Sequence, residues 1–67
     1  MSATIYAHYI KKTASFECEI IDDEDDRYIG GFNEKSINKV NDYSKSSGMR
    51  VIYCNYKFDR NLGLIAN

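Results

Sequence analysis

Residues 16–20 read Phe-Glu-Cys-Glu-Ile, so an apolar residue alternates with an acidic one throughout the segment. Successive side chains of a β-strand point to opposite faces, and this alternation predicts a strand with one face in a core and one in water. A slip of one residue would bury Glu17 and Glu19, so the register of this strand is well determined. The rest of the chain must therefore supply neighbouring strands and a layer that covers the apolar face.

Three other segments have the composition of strands. Residues 4–10 are rich in β-branched and aromatic side chains on both faces, which is typical of a strand inside a sheet. Residues 27–29 predict a short strand that ends at Gly30-Gly31, where glycine permits a bulge or a sharp bend. Residues 49–58 predict one continuous strand. Its core face is expected to carry Ile52, Cys54, Tyr56 and Phe58.

One helix is predicted over residues 34–47. Asn33 is a favourable N-cap residue, and Gly48 is the residue type that commonly ends a helix in a left-handed conformation. Apolar residues recur between them at helical spacing, which indicates one face that packs on a sheet. This stripe consists of Ile37, Val40 and Tyr43.

Together these elements predict a small α+β fold, with one domain over residues 1–67. One helix packs on a small, mostly antiparallel sheet, in the order strand, strand, strand, helix, strand. If the last strand lies beside the first, the two run parallel. The apolar residues of the tail are expected to form a short C-terminal edge strand or to pack under the helix. They are Leu62, Leu64 and Ile65.

The composition is that of a folded protein, since 43% of the 67 residues are hydrophobic and 28% are charged. The two cysteines, Cys18 and Cys54, are too few for a disulfide scaffold and lack the paired spacing of a zinc site. Both are expected to be reduced and buried. The first residues lack the features of a signal peptide, and no apolar run approaches the length of a membrane span. We therefore expect a cytoplasmic protein with no membrane partner.

Several familiar chemistries do not match the sequence. His8 is the sole histidine and has no neighbouring nucleophile or carboxylate that would indicate catalysis. The acidic run at 22–26 fails the EF-hand pattern, because Arg27 stands where the loop requires glycine and Asn33 where it requires glutamate. Gly30-Gly31 lacks the glycine spacing of a nucleotide-binding loop. The chain is therefore expected to be no enzyme and to bind no cofactor or metal.

Two features indicate that the chain binds another protein. The acidic run is expected to be an exposed turn, and a dense carboxylate cluster can imitate the phosphates that a nucleic-acid-binding protein contacts. The six tyrosines exceed what one small core can bury with every hydroxyl satisfied, and tyrosine is enriched at interfaces. The hypothesis is a protein-binding module, an inhibitor or adaptor that occupies the basic surface of a nucleic-acid-handling complex. Its predicted contact residues are Asp22, Asp23, Glu24, Asp25, Asp26, Tyr28 and Tyr53.

The alternative hypothesis is direct nucleic-acid binding, with aromatic side chains stacking on bases between cationic ones. The residues would be Arg50, Tyr53, Tyr56, Lys57 and Arg60. The net charge of −1 and the spread of basic residues along the chain favour the protein partner. A homodimer is a further expectation, because so small a domain has little core and the acidic and basic parts of one copy could face the opposite parts of another.

Overall fold

The chain folds as an α+β structure in which one helix packs on a mixed sheet, as the sequence predicts. The computed structural model describes the backbone of residues 2–59 and 63–66 and the side chains of residues 2–55. Its elements are β1 (Ala3–Ile10), β2 (Ser15–Asp22), β3 (Tyr28–Glu34), α1 (Ile37–Ser47), β4 (Arg50–Tyr53), β5 (Tyr56–Asp59) and β6 (Gly63–Ala66).

The main sheet has four strands in the order β3-β2-β1-β4. β2 pairs antiparallel with both β1 and β3, whereas β4 lies beside β1 and runs parallel to it. The strand after the helix thus lies beside the first strand, and the two run parallel, as expected for that arrangement. Because β3 and β4 are at opposite edges and run in the same direction, the connection between them must cross the sheet, and α1 lies in that connection.

The core lies between the sheet and α1. Ile5 and Ala7 of β1 and Val40 of α1 have no exposed surface, and Phe16 and Cys18 of β2 are buried beside them. The glutamates that alternate with these β2 residues are exposed, which confirms the face and register predicted from the alternation.

The core face of β4 is the opposite of the predicted one. Val51 and Tyr53 pack against the core, whereas Ile52 is 37% exposed and Cys54 is exposed. The parallel register with β1 causes this arrangement, because it sets Val51 beside the buried Ile5. Apolar residues occupy both faces of the segment, so its own pattern did not determine which face is buried.

The strand predicted over residues 49–58 is two strands, separated by a bend at Cys54 and Asn55. The Asn55 side chain takes the place of a strand neighbour beside β1. Its Oδ1 accepts from the Tyr9 amide at 2.8 Å, and its Nδ2 donates to the Tyr9 carbonyl at 2.9 Å. These two bonds pair the backbone amide and carbonyl of Tyr9 at the edge of β1. The chain can therefore turn away from β1 after β4.

After the bend, β5 and β6 pair antiparallel as a separate two-stranded sheet. A C-terminal strand is therefore present, and its partner is β5 rather than a strand of the main sheet. Leu62 of the predicted apolar tail lies outside the described residues, as do the side chains of Leu64 and Ile65.

The helix begins three residues later than predicted. β3 continues to Glu34, which pairs with Phe16, so Asn33 is a strand residue rather than the N-cap. Ser36 is the N-cap, and its side-chain oxygen accepts from the Asn38 amide at 3.2 Å. At the other end Gly48 has φ 75°, and its amide donates to the Ser44 carbonyl, as expected for a glycine that ends a helix.

Ser36→Ala is expected to lower the free energy of unfolding by about 1 kcal/mol, because the helix loses the acceptor for one of its first amides. The matched control is Asn33→Ala, which removes the residue that the sequence pattern favoured as N-cap. Chemical denaturation of both variants measures the difference. A larger loss for the Asn33 variant than for the Ser36 variant would contradict the observed helix start.

β3 also extends through the two glycines at which the sequence predicted its end. The irregularity is a bulge one position earlier, where Ile20 pairs with Gly30 and Ile21 with Tyr28, which leaves Ile29 without a partner on β2. Position 31 has no room for a side chain, so a glycine is required there. A Cβ there would lie 2.7 Å from the Tyr28 hydroxyl oxygen and 2.9 Å from the Cys18 carbonyl oxygen.

Gly31→Ala is expected to destabilise the fold by about 1–3 kcal/mol, because the Cys18 carbonyl belongs to the neighbouring strand and cannot move without disturbing the sheet. Gly30→Ala is the control, since the nearest atom to its Cβ is the Ile20 Cδ1 at 4.0 Å. Thermal or chemical denaturation compares the two. Equal stabilities would show that the backbone at Gly31 has room for a side chain.

Candidate protein-binding surface

The acidic turn, residues 22–26, joins β2 to β3 and has two structurally different parts. Asp22 is buried with 4% of its surface exposed, which differs from the predicted exposed turn. Its Oδ1 accepts from the Glu24 amide at 2.8 Å, and its carbonyl accepts from the Asp26 amide at 2.9 Å. Asp22 thus holds the turn together, because an aspartate can satisfy the backbone amide two residues later.

The exposed part of the acidic turn carries four carboxylates in sequence. They belong to Asp23, Glu24, Asp25 and Asp26. Asp26 has a left-handed backbone, with φ 56°, a conformation that aspartate tolerates better than most residues. The Arg27 amide donates to Asp25 Oδ1 at 3.2 Å. Among the described residues, no group of histidine, cysteine, aspartate or glutamate side chains is arranged to hold a metal ion.

The turn is anchored to the sheet through Thr4, which is fully buried at the start of β1. Its hydroxyl donates to Asp23 Oδ1 at 2.6 Å and accepts from Arg50 Nε at 3.1 Å. β1, the acidic turn and β4 are distant in sequence, and they meet at the Thr4 hydroxyl. The sequence holds no signal for this role of Thr4, because its partners lie 19 and 46 positions away.

These contacts lower the pKa of Asp23 below its ordinary value. The hydrogen bond from Thr4 is the largest cause, burial opposes it, and Ser2 and the positive charge of Arg50 lower the pKa further. A carboxylate with a lowered pKa stabilises the fold at neutral pH. That stabilisation is lost as the pH falls through the lowered pKa.

Thr4→Val is expected to raise the pKa of Asp23 toward its ordinary value, because valine cannot donate to the carboxylate. NMR titration of the Asp23 side chain measures the shift. Thr13→Val is the control, since the Thr13 hydroxyl contacts Ser15 in the β1–β2 turn and not Asp23. An unchanged pKa in the Thr4 variant would show that the hydrogen bond is not its main cause.

Of the two tyrosines predicted to bind the partner, Tyr28 lies beside the acidic turn and Tyr53 does not. Tyr28 is 60% exposed, and its hydroxyl lies beside Gly31, three residues later in β3. Tyr53 is half-buried, packs against the core and donates its hydroxyl to Asn41 Oδ1. Burial raises the pKa of Tyr53. Tyr28 thus begins the strand that follows the acidic turn, whereas Tyr53 lies against the core and α1.

The residues of the nucleic-acid hypothesis do not form one surface in the described part of the chain. Arg50 and Tyr53 lie on opposite faces of β4, because Arg50 is beside Thr4 and Tyr53 is beside Ala7. Tyr56 and Lys57 belong to β5, and their side chains lie outside the described residues, as does Arg60.

Cys18 and His8 occupy ordinary strand positions, whereas Cys54 lies in the bend between β4 and β5. Cys18 is buried as predicted, and burial, followed by the charge of Glu34, raises the pKa of its thiol to about 11. Cys54 was predicted to be buried and is exposed, because the β4 register turns it away from the core. His8 is half-buried on the face of β1 opposite α1. A thiol with a raised pKa is a poor nucleophile at neutral pH.

The opposite end of the sheet from the acidic turn is basic. A depression of about 560 Å³ lies there, between the β1–β2 turn and the start of α1. Lys35 and Lys39 line it together with Glu17 and Glu34, and Lys11 and Lys12 of the β1–β2 turn are exposed at the same end of the sheet. These lysines carry no signal in the sequence, because lysines are mostly exposed on any folded protein.

No protein-family model, curated protein or solved structure matches this chain. Among the described residues, no helix has the length and apolarity that crossing a membrane would require.

Proposed function

We propose that this chain is a small non-enzymatic protein-binding module that works in the cytoplasm. Its contact surface is the exposed part of the acidic turn together with Tyr28. Its partner is a protein with a basic surface, of the kind that nucleic-acid-handling complexes use to hold phosphates, and the chain acts as an inhibitor or adaptor by occupying that surface.

The observation that carries this proposal is the internal bonding of the acidic turn. Asp22 and Thr4 hold its backbone and Asp23 through short hydrogen bonds, so the exposed carboxylates are presented from an ordered turn. A preorganised surface loses less conformational entropy on binding than a flexible one. Neighbouring carboxylates repel one another, and a cationic partner relieves that repulsion.

Tyr28 supports the same surface. A tyrosine offers a large apolar ring and a hydroxyl, and such residues often contribute strongly to protein interfaces. Here the ring is 60% exposed directly after the acidic turn, so one partner could contact both. Nucleic acid is disfavoured at this surface, because its phosphates would meet carboxylates of the same sign.

The double variant Glu24→Gln with Asp26→Asn removes two exposed carboxylates and leaves the bonds of Asp22 and Asp23 in place. We expect its affinity for the partner to fall roughly two- to tenfold at low salt, since exposed charge pairs contribute little each and are screened by ions. The matched control is Glu17→Gln with Asp42→Asn, which removes two exposed carboxylates outside the turn.

The partner is captured on immobilised chain from lysate of the native cell, with and without nuclease, over a series of salt concentrations. Recovery of one protein complex that is independent of nuclease and weaker for the turn variant supports the proposal. Recovery that nuclease abolishes, or equal binding by the turn variant and its control, would refute it.

A further inference from the structure

β3 is an exposed sheet edge. In the described part of the chain no strand pairs with its outer side, so alternate backbone amides and carbonyls there face away from β2. The other edge strand, β4, has four residues, whereas β3 has seven. β3 is therefore the longer template for another strand. Its glycines at positions 30 and 31 carry no side chains that would obstruct the middle of the edge.

The apolar side chains left exposed are concentrated at this edge. Four large hydrophobic side chains are exposed among those described, and three of them belong to β3 or contact it. Tyr28 and Ile29 are 60% and 45% exposed on β3 itself. Tyr43 is 39% exposed on α1, and its ring lies 4.6 Å from that of Phe32. Exposed apolar groups beside an unpaired edge are typical of a strand-pairing interface.

The two ends of β3 carry opposite charge. The acidic turn precedes it, with four exposed carboxylates against Arg27, and its last residue, Glu34, is followed by Lys35 and Lys39, so the net charge is −3 at the N-terminal end and +1 at the C-terminal end. When a strand pairs antiparallel with a copy of itself, the N-terminal end of the strand in one copy lies beside the C-terminal end of the strand in the other. Antiparallel self-pairing of β3 would therefore bring the acidic turn of each copy toward the lysines of its partner, whereas parallel pairing would bring like charges together.

We propose that β3 of one chain pairs antiparallel with β3 of a second copy, about a two-fold axis near Gly31, the middle residue of the strand. The two four-stranded sheets then form one continuous sheet, and Ile29 of each copy is covered. Because the exposed carboxylates outnumber the two lysines, each acidic turn keeps an excess of negative charge in the dimer. The homodimer expected from the sequence thus acquires a defined interface.

The test of this interface uses the chain alone and needs no partner protein, so its outcome can be distinguished from that of the proposed function. Sedimentation equilibrium from micromolar to millimolar concentration, at low salt, is expected to show a monomer–dimer equilibrium. Ile29→Arg should raise the dimer dissociation constant about tenfold or more, since it adds a charge to the buried edge. Ile52→Arg is the matched control, because Ile52 is also exposed but lies on β4.

A charge exchange tests the orientation. Lys35→Glu with Lys39→Glu makes both ends of β3 acidic. Glu24→Lys with Asp25→Lys brings the four exposed positions of the acidic turn to zero net charge, so that neither end of β3 is acidic. Each variant alone is expected to dimerise more weakly than the parent chain. An equimolar mixture of the two should form heterodimers, because the opposite charges meet again. Circular dichroism confirms that each variant keeps the fold.

A chain that remains monomeric over the whole concentration range would overturn the proposal. So would a dimer that Ile52→Arg disrupts and Ile29→Arg does not, because the interface would then involve β4. A mixture of the charge variants that associates no better than either variant alone would overturn the antiparallel arrangement.

Discussion

The parallel pairing of β4 with β1 is the constraint on which the other features depend. It brings residues that are 46 positions apart side by side, with Val51 next to Ile5 and Arg50 next to Thr4. The first contact determines which face of β4 joins the core. The second places a cation at the Thr4 hydroxyl and so helps to hold Asp23 and the acidic turn. Without this pairing Thr4 would still donate to Asp23, but Arg50 would no longer lie beside that contact.

The basic residues in the described part of the chain lie in separate regions of the fold. Arg50, which the nucleic-acid hypothesis assigned to a basic surface, instead lies beside the acidic turn. Lys35 and Lys39 lie at the far end of β3, where they line a depression. The exposed edge of β3 therefore runs from an acidic end to a basic one. Both proposals rest on this polarity, the first on its acidic end and the second on the complementarity of the two ends.

Two local expectations were wrong for the same physical reason. Asparagine is a favourable N-cap residue, yet Asn33 pairs in β3. Extending that strand lets Phe32 pack on the core. Gly30-Gly31 resembles a strand terminus, yet the strand passes through it, because both glycines pair with residues of β2. In each case a contact with another strand outweighed a local preference.

The sequence by itself determined the α+β class, the order of the elements, the face of β2 and the glycine that ends α1. These depend on alternation and capping, which act between residues a few positions apart. Only the tertiary structure decided the face of β4, the bend at Asn55 and the role of Thr4. β4 is apolar on both faces, and the partners of Thr4 and Asn55 are distant in sequence, so the register between β1 and its neighbours had to be formed before these residues acquired their contacts.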